Sequence, residues 1–361
     1  MHSWTSYGTI PIQTARSPNT KRKTRRECPI QPGCDGGACR GKMRSGQITG
    51  ETMDSFWRKI RWTTGAGLVV FCMVCAGVPA PASADNRGEK IAAAEQSDSA
   101  AGAAPVQAAH PVDSCAGSTA LLSVLDRPTI SDSVCSAKKN NVIVELGYDY
   151  QFETGNNSGT LQTLPQPEVR YGTGGNIELK LFPPNYLIRT MQTAGRTAFA
   201  GGFGDAGVGA KYEFGYGEKW GVAADTAVTF ASGSKDFTGH STGAIVNGIF
   251  AYNVNEDIGI GLQIGLFHLF SPIESDQQTT LNPILVVSDQ LNGVTDKLQL
   301  YAECYNTIDL LHGTGIVSFA DAGVQYLVFG NVELDVEAGH NLTDLPSNNT
   351  TYLGFGTGLE F

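Results

Sequence analysis

The sequence predicts an all-β chain: a transmembrane antiparallel up-and-down β-barrel of about 12 strands, preceded by a signal peptide and a short periplasmic segment. Three observations carry that prediction. The last nine residues set Leu353, Phe355, Thr357, Leu359 and Phe361 on one face and Gly354, Gly356, Gly358 and Glu360 on the other. This is the period of two of a strand lying between unlike surroundings. Such alternation recurs from Val142 onward, while no run of about 18 apolar residues offers a spanning helix. The links between alternating segments are long and short by turns, as external loops and periplasmic turns are in outer-membrane barrels.

The N-terminal third reads differently. Residues 1–52 show no apolar periodicity and carry Lys21, Arg22, Lys23, Arg25 and Arg26. Cys28, Cys34 and Cys39 lack the CxxC spacing of a metal site. We expect 1–52 to be an upstream or unstructured extension, with Met53 as the working start. Over 53–84, Arg58, Lys59 and Arg61 precede an apolar core from Gly65 to Val78, and Ala82-Ser83-Ala84 supplies a small-residue cleavage site. That is a secretory signal peptide, too short to remain as a membrane helix. Residues 85–140 then read as a disordered tether and short periplasmic segment. Within it Cys115 and Cys135 bracket the apolar piece Ala120 to Leu125. In an oxidising compartment the two can close a small lid or plug through a disulfide, or they can stay unpaired.

The barrel is expected over 141–361. Val142, Val144, Leu146, Tyr148 and Tyr150 alternate with Glu145, Gly147, Asp149 and Gln151. Further strands are read at Pro167–Tyr171, Ile177–Leu181, Ala206–Phe214, Trp220–Phe230, 242–252, Ile258–Leu266, 281–288, Leu298–Ala302, Ala322–Tyr326, Val332–Ala338 and Leu353–Phe361. Long links are expected near 153–163, 183–204, 231–241, 269–280, 306–316 and 340–350. Link 183–204 could fold inward as a constriction or outward as a surface. Tyr148, Tyr150, Tyr171, Tyr212, Trp220, Tyr252, Tyr326 and Tyr352 suit interfacial girdles.

The polar face is the expected lumen. It carries Glu145, Asp149, Glu168, Glu178, Asp205, Glu213, Asp225, Glu303, Asp321, Glu333, Asp335 and Glu337 against Arg170, Lys180, Lys211 and Lys297. Two readings stay open. A wet lumen with this lining favours cations or neutral solutes, whereas a narrow one pairs these groups into a network centred on Arg170 and Lys211. Residues 1–84 hold 12 Lys/Arg against 4 Asp/Glu, and the remainder 13 against 31. A chain so acidic beyond its leader has no surface for nucleic acid. Catalysis rests on thin ground: His268 near Ser271 and His240 beside Ser241 lack a nucleophile motif. No catalytic, metal or cofactor site is expected, metal ligation by His240, His268, His312 and His340 included. A structural or adhesive barrel displaying its loops is the alternative, and an outer-membrane lipid hydrolase a more distant one. The expected partners are outer-membrane lipid and the barrel-assembly machinery, engaged through the C-terminal Phe361.

Several strands also resemble a known family. Leu164-Pro165-Gln166-Pro167-Glu168-Val169-Arg170-Tyr171-Gly172 with Asn176-Ile177-Glu178-Leu179 is similar to the "MetA-pathway of phenol degradation" family of outer-membrane transporters. So are Gly204–Tyr212, Asp321–Tyr326 and Glu333-Leu334-Asp335. After the fifth strand the family has a Pro-Thr-Gly-like turn, and Ala231-Ser232-Gly233-Ser234 stands there instead. The resemblance spans about 142–361. It implies a bacterial outer-membrane channel or importer for aromatic or other small hydrophobic solutes.

Overall fold

The computed structural model describes residues 115–361 apart from 156–157, 194, 218, 313–314 and 344–347. The expected extension 1–52, the signal peptide 53–84 and residues 85–114 of the tether lie outside the described residues. A five-residue helix, α1 (Ala120–Val124), precedes fourteen strand segments. They are β1 (Val142–Gly155), β2 (Ser158–Gly174), β3 (Ile177–Phe182), β4 (Tyr186–Thr193), β5 (Arg196–Phe203), β6 (Ala206–Tyr216) and β7 (Trp220–Phe230). They continue as β8 (Thr242–Asn253), β9 (Ile258–Phe270), β10 (Gln278–Gln290), β11 (Leu298–Asp309), β12 (Ile316–Phe329), β13 (Val332–Asn341) and β14 (Asn348–Glu360).

Neighbouring strands pair antiparallel, and the fourteen segments make a closed barrel of twelve strands. The difference lies around β2. Its first part, Ser158 to Thr163, pairs with β4, and its last part, Val169 to Gly174, pairs with β3. β3 and β4 are therefore one strand in two pieces, and β5 and β6 are the next. The interruption has a chemical cause. Pro183 and Pro184 separate β3 from β4, and Pro165 and Pro167 occupy the stretch of β2 that pairs with neither of them, though it meets β1 on its other side; proline brings no N–H to a ladder.

Closure is made by β1 and β14, in register from Ile143 opposite Glu360 to Gly155 opposite Asn348. The Val142 and Phe361 backbones complete it by donating to each other's carbonyl oxygens, at 3.0 and 2.8 Å. The first and last strands are thereby left without an unpaired edge for lipid to solvate. The faces follow the alternation. Leu179, Val208, Phe250, Leu262, Ile264, Val324, Leu334, Val336 and Phe355 all point outward and are exposed. A soluble protein would have to cover an apolar band of this extent; a barrel turns it to the bilayer. Val336→Arg, near the middle of β13, is expected to cost roughly 2–4 kcal/mol, seen as a lower urea midpoint for the lipid-inserted protein.

Four sequence expectations are corrected by the fold. The 183–204 link is no inward constriction: it holds the paired segments β4 and β5, which continue the wall. The 153–163 link is mostly ladder, because β1 and β2 continue to Gly155 and from Ser158. Tyr352 belongs to no outer girdle: it lies on the Gly354–Gly356–Gly358 face, buried, and its hydroxyl donates to Asp321 Oδ2 at 2.7 Å. The segment expected at 281–288 runs as the longer β10, with Thr280, Asn282 and Ile284 buried on its inner face.

Candidate functional site in the barrel lumen

Residues 115–141 enter the lumen as a plug. Cys115 and Cys135 are joined by a disulfide with Cα atoms 5.5 Å apart. The loop they close folds α1 back so that Leu121, Leu122, Val124 and Leu125 pack on Cys135, Ala137, Ile143 and Leu327. That apolar knot sits at the end of the barrel where β1 begins. Beyond α1 the plug has little regular structure, so its amide groups need partners from the wall.

Wall carboxylates and one wall amide supply them. Glu145 accepts the N–H groups of Asp126 and Arg127 at 3.2 and 2.8 Å. Glu303 accepts those of Ile130 and Ser131, both at 2.9 Å. Gln263 accepts from Asp132 at 2.7 Å, Glu213 from Ser136 at 3.3 Å and Glu178 from Ala137 at 2.6 Å. A carboxylate accepting backbone N–H groups makes bonds about twice as strong as neutral pairs do.

Charge fixes the plug's position. Asp126 lies among three wall cations, 2.7 Å from Lys180 Nζ, 2.8 Å from Lys211 Nζ and 3.5 Å from Arg170 Nε. Arg170 in turn binds Glu178 at 2.8 Å and Glu145 at 2.9 Å, and donates to the Val124 carbonyl at 2.7 Å. Burial works against ionising Asp126, but Arg170, Lys180 and Lys211 together outweigh it and hold the carboxyl well below its ordinary value of 3.8. Across the lumen, Arg127 binds Asp335 at 3.0 Å, lies 3.6 Å from Glu337 and donates to Gln166 at 3.1 Å. Gln325 Nε2 donates to the Arg127 carbonyl at 2.9 Å.

The glycines of the inner face have a matching role. A Cβ on Gly358 would strike the Leu125 side chain, and one on Gly356 would strike the Arg127 guanidinium. The alternating small residues of β14 are a seat for the plug.

Fourteen of the sixteen side chains expected along the lumen are buried, so they do not line a water-filled bore. Glu145, Arg170, Glu178, Lys180, Lys211, Glu213, Glu303, Asp335 and Glu337 meet the plug. Asp225 bridges Lys180 and Asn247 at 3.0 and 2.8 Å. Glu168 lies 3.7 Å from Lys180, Asp149 accepts from Gln151, and Asp321 accepts from Tyr352. Glu333 lies buried near the plug end of β13.

Asp205 corrects the expectation: at the junction of β5 and β6 it accepts the N–H groups of Ser232, Gly233 and Gly239 and holds the 231–241 loop. Its reach across the break between two strand pieces removes it from the bore. Lys297 is also displaced, into the exposed turn before β11.

Sequence reasoning passed over the plug's own Asp126, Arg127 and Asp132. Their signal was a charged pair following an apolar stretch between two cysteines. Of the histidines weighed for catalysis, His268 Nδ1 bonds Thr279 Oγ1 at 2.8 Å, while Ser271 Oγ accepts the Ile273 N–H. The His268–Ser271 pair is not assembled.

No protein-family model matches the chain, and no curated protein matches it. Among solved structures it is similar to the COG4313 outer membrane channel from Pseudomonas putida F1, at 11% identity, covering 65% of this chain and 100% of that one with a TM-score of 0.51. It is also similar to the NanC porin, at 10% identity, 59% and 98% coverage and a TM-score of 0.42. The CymD monoaromatic hydrocarbon channel matches at 7% identity, 62% and 89% coverage and a TM-score of 0.40. At such identities the likeness is one of fold: an outer-membrane β-barrel.

Proposed function

We propose that this protein is a channel of the bacterial outer membrane that passes small, hydrophobic or aromatic solutes, within the "MetA-pathway of phenol degradation" family. The observation that carries the reading is an opening beside the plug. Between the plug and the wall formed by β8 to β12 there remains a cavity of about 160 Å³, open to solvent. Ala251, Gly261, Val286, Ser288, Gln299 and Gln325 are among its walls. A barrel serving only as a scaffold has no need of such a gap. A cavity of this size beside the plug suits small solutes and slow, selective passage.

The test uses protein purified from membranes and reconstituted in two ways. In planar bilayers we expect small, resolvable conductance steps. In liposomes we expect uptake of phenyl β-glucoside, an aromatic probe whose sugar keeps it from leaking through lipid. A folded, heat-modifiable barrel silent in both assays would overturn the channel reading in favour of a barrel that displays its loops.

A further inference from the structure

The charged groups of the lumen are confined to one part of the wall. Among the described residues, β1, β2, β3, β6, β7, β11, β12 and β13 each present at least one buried charged side chain. The inner faces of β8, β9 and β10 present none. On β9 the inward run is Gly259, Gly261, Gln263, Gly265 and Phe267, and its neighbours oppose it with neutral residues at every level, from Asn253 and Ser288 upward.

The plug respects this division. Its ion pairs all go to charged strands, through Asp126 to β2, β3 and β6, through Asp132 to β3 and through Arg127 to β13. On the neutral strands it makes lighter contacts. The Asp132 N–H donates to Gln263, Asn247 Nδ2 donates to Asp132 Oδ2 at 3.1 Å, and Ile130 packs on Ile284. The open cavity lies directly beneath these contacts, against Ala251, Gly261, Val286 and Ser288. Above them, Phe182, Ala227, Ile245 and Phe267 form an apolar patch.

We infer that β8–β10 form the solute lane, that segment Ile130–Asp132 is its gate, and that the lane selects uncharged solutes. The inference rests on the channel reading and specifies its route. An ion on this face would shed water with no opposite charge to receive it. An uncharged solute meets apolar and neutral hydrogen-bonding groups alone on the wall side. The charged lining groups belong to the plug: Arg127 is paired with Asp335, and Asp132 with Lys180. Opening the gate breaks the bonds to Gln263 and Asn247 together with the Asp132–Lys180 pair and the two N–H bonds to Glu303, while the Asp126 and Arg127 pairs that seat the plug stay intact.

The test compares two solutes differing by one carboxylate, phenyl β-glucoside and phenyl β-glucuronide, in proteoliposomes. Wild type should take up the glucoside at least tenfold faster. Ala251→Asp and Val286→Asp, which put a charge in the lane, should each cut glucoside uptake about tenfold. Because a buried charge can also impair folding, Ser288→Cys is folded first and then alkylated with a bulky uncharged maleimide, and should lose uptake to the same extent. Wild type, whose Cys304 is buried and faces away from the lumen, serves as the alkylation control. Gln151→Glu, on the inner face of β1, should leave uptake unchanged. If wild type takes up glucoside but the lane variants and the alkylated protein match it, the lane is wrong and the channel reading survives. Equal uptake of the two solutes overturns the selectivity. No uptake by wild type overturns both.

Discussion

Asp126→Asn should unseat the plug and turn a nearly closed barrel into an open one. The substitution keeps the shape of the side chain and removes the charge shared by Arg170, Lys180 and Lys211, which lie 2.7 to 3.5 Å away. Removing one partner from a buried ion cluster costs roughly 3–5 kcal/mol, because the remaining charges stay desolvated. Glu178, Glu145 and Asp225 still face those cations and offset part of the loss, so about 3 kcal/mol is expected. That corresponds to roughly a hundredfold shift in the seated-to-released ratio. Single-channel recording should show long-lived, larger conductance steps, and the released plug should become sensitive to protease. A variant as closed as wild type would mean that the plug is held by its apolar knot.

The pH dependence of this anchor has a definite sign. The carboxyl of Asp126 is held below its unfolded value of 3.8. Its contribution is therefore complete above about pH 4 and is lost only as pH falls through the lower, folded-state value. The gap between wild type and Asp126→Asn should stay constant from pH 7 to pH 5. A gap that shrinks over that range would show that Asp126 does not remain charged in the seated plug.

Deleting β14, residues 348–361, should abolish the barrel outright. The deletion leaves the edges of β1 and β13 unpaired along their length, and each unsatisfied backbone group in lipid costs several kcal/mol. No heat-modifiable, protease-resistant species should form, in detergent or in cells. Removing Phe361 alone is a separate matter, since the register from Ile143 opposite Glu360 onward survives. That variant should refold in detergent. A defect confined to cells would assign Phe361 to recognition by the barrel-assembly machinery.

Much of this was legible in the chain, and the reason is physical. A strand between lipid and lumen has two solvents, and its side chains record both with a period of two. Each strand states its own faces locally, so Leu334 and Val336 read as outward and Asp335 and Glu337 as inward without knowledge of their neighbours. Strand number, closure through β14 and the burial of charge inside all follow from that local record.

What the lumen does with its charges was decided only by tertiary structure. Arg127 finds Asp335 across 208 residues, and Lys180 finds Asp126 across 54; such pairs depend on strand register and on where a nearly aperiodic segment comes to rest, and no local pattern encodes either. The glycines of β14 looked like small residues facing a bore, and the folded chain shows them making room for Leu125 and Arg127. The prolines near 165 and 183 looked like parts of loops, and pairing shows them interrupting one strand in mid-course. The sequence by itself determined which side of the wall each residue faces, because that depends on alternation alone. Tertiary structure determined that the bore is plugged, with the plug seated by charge on one side and resting against neutral strands on the other, because that depends on which distant residues meet.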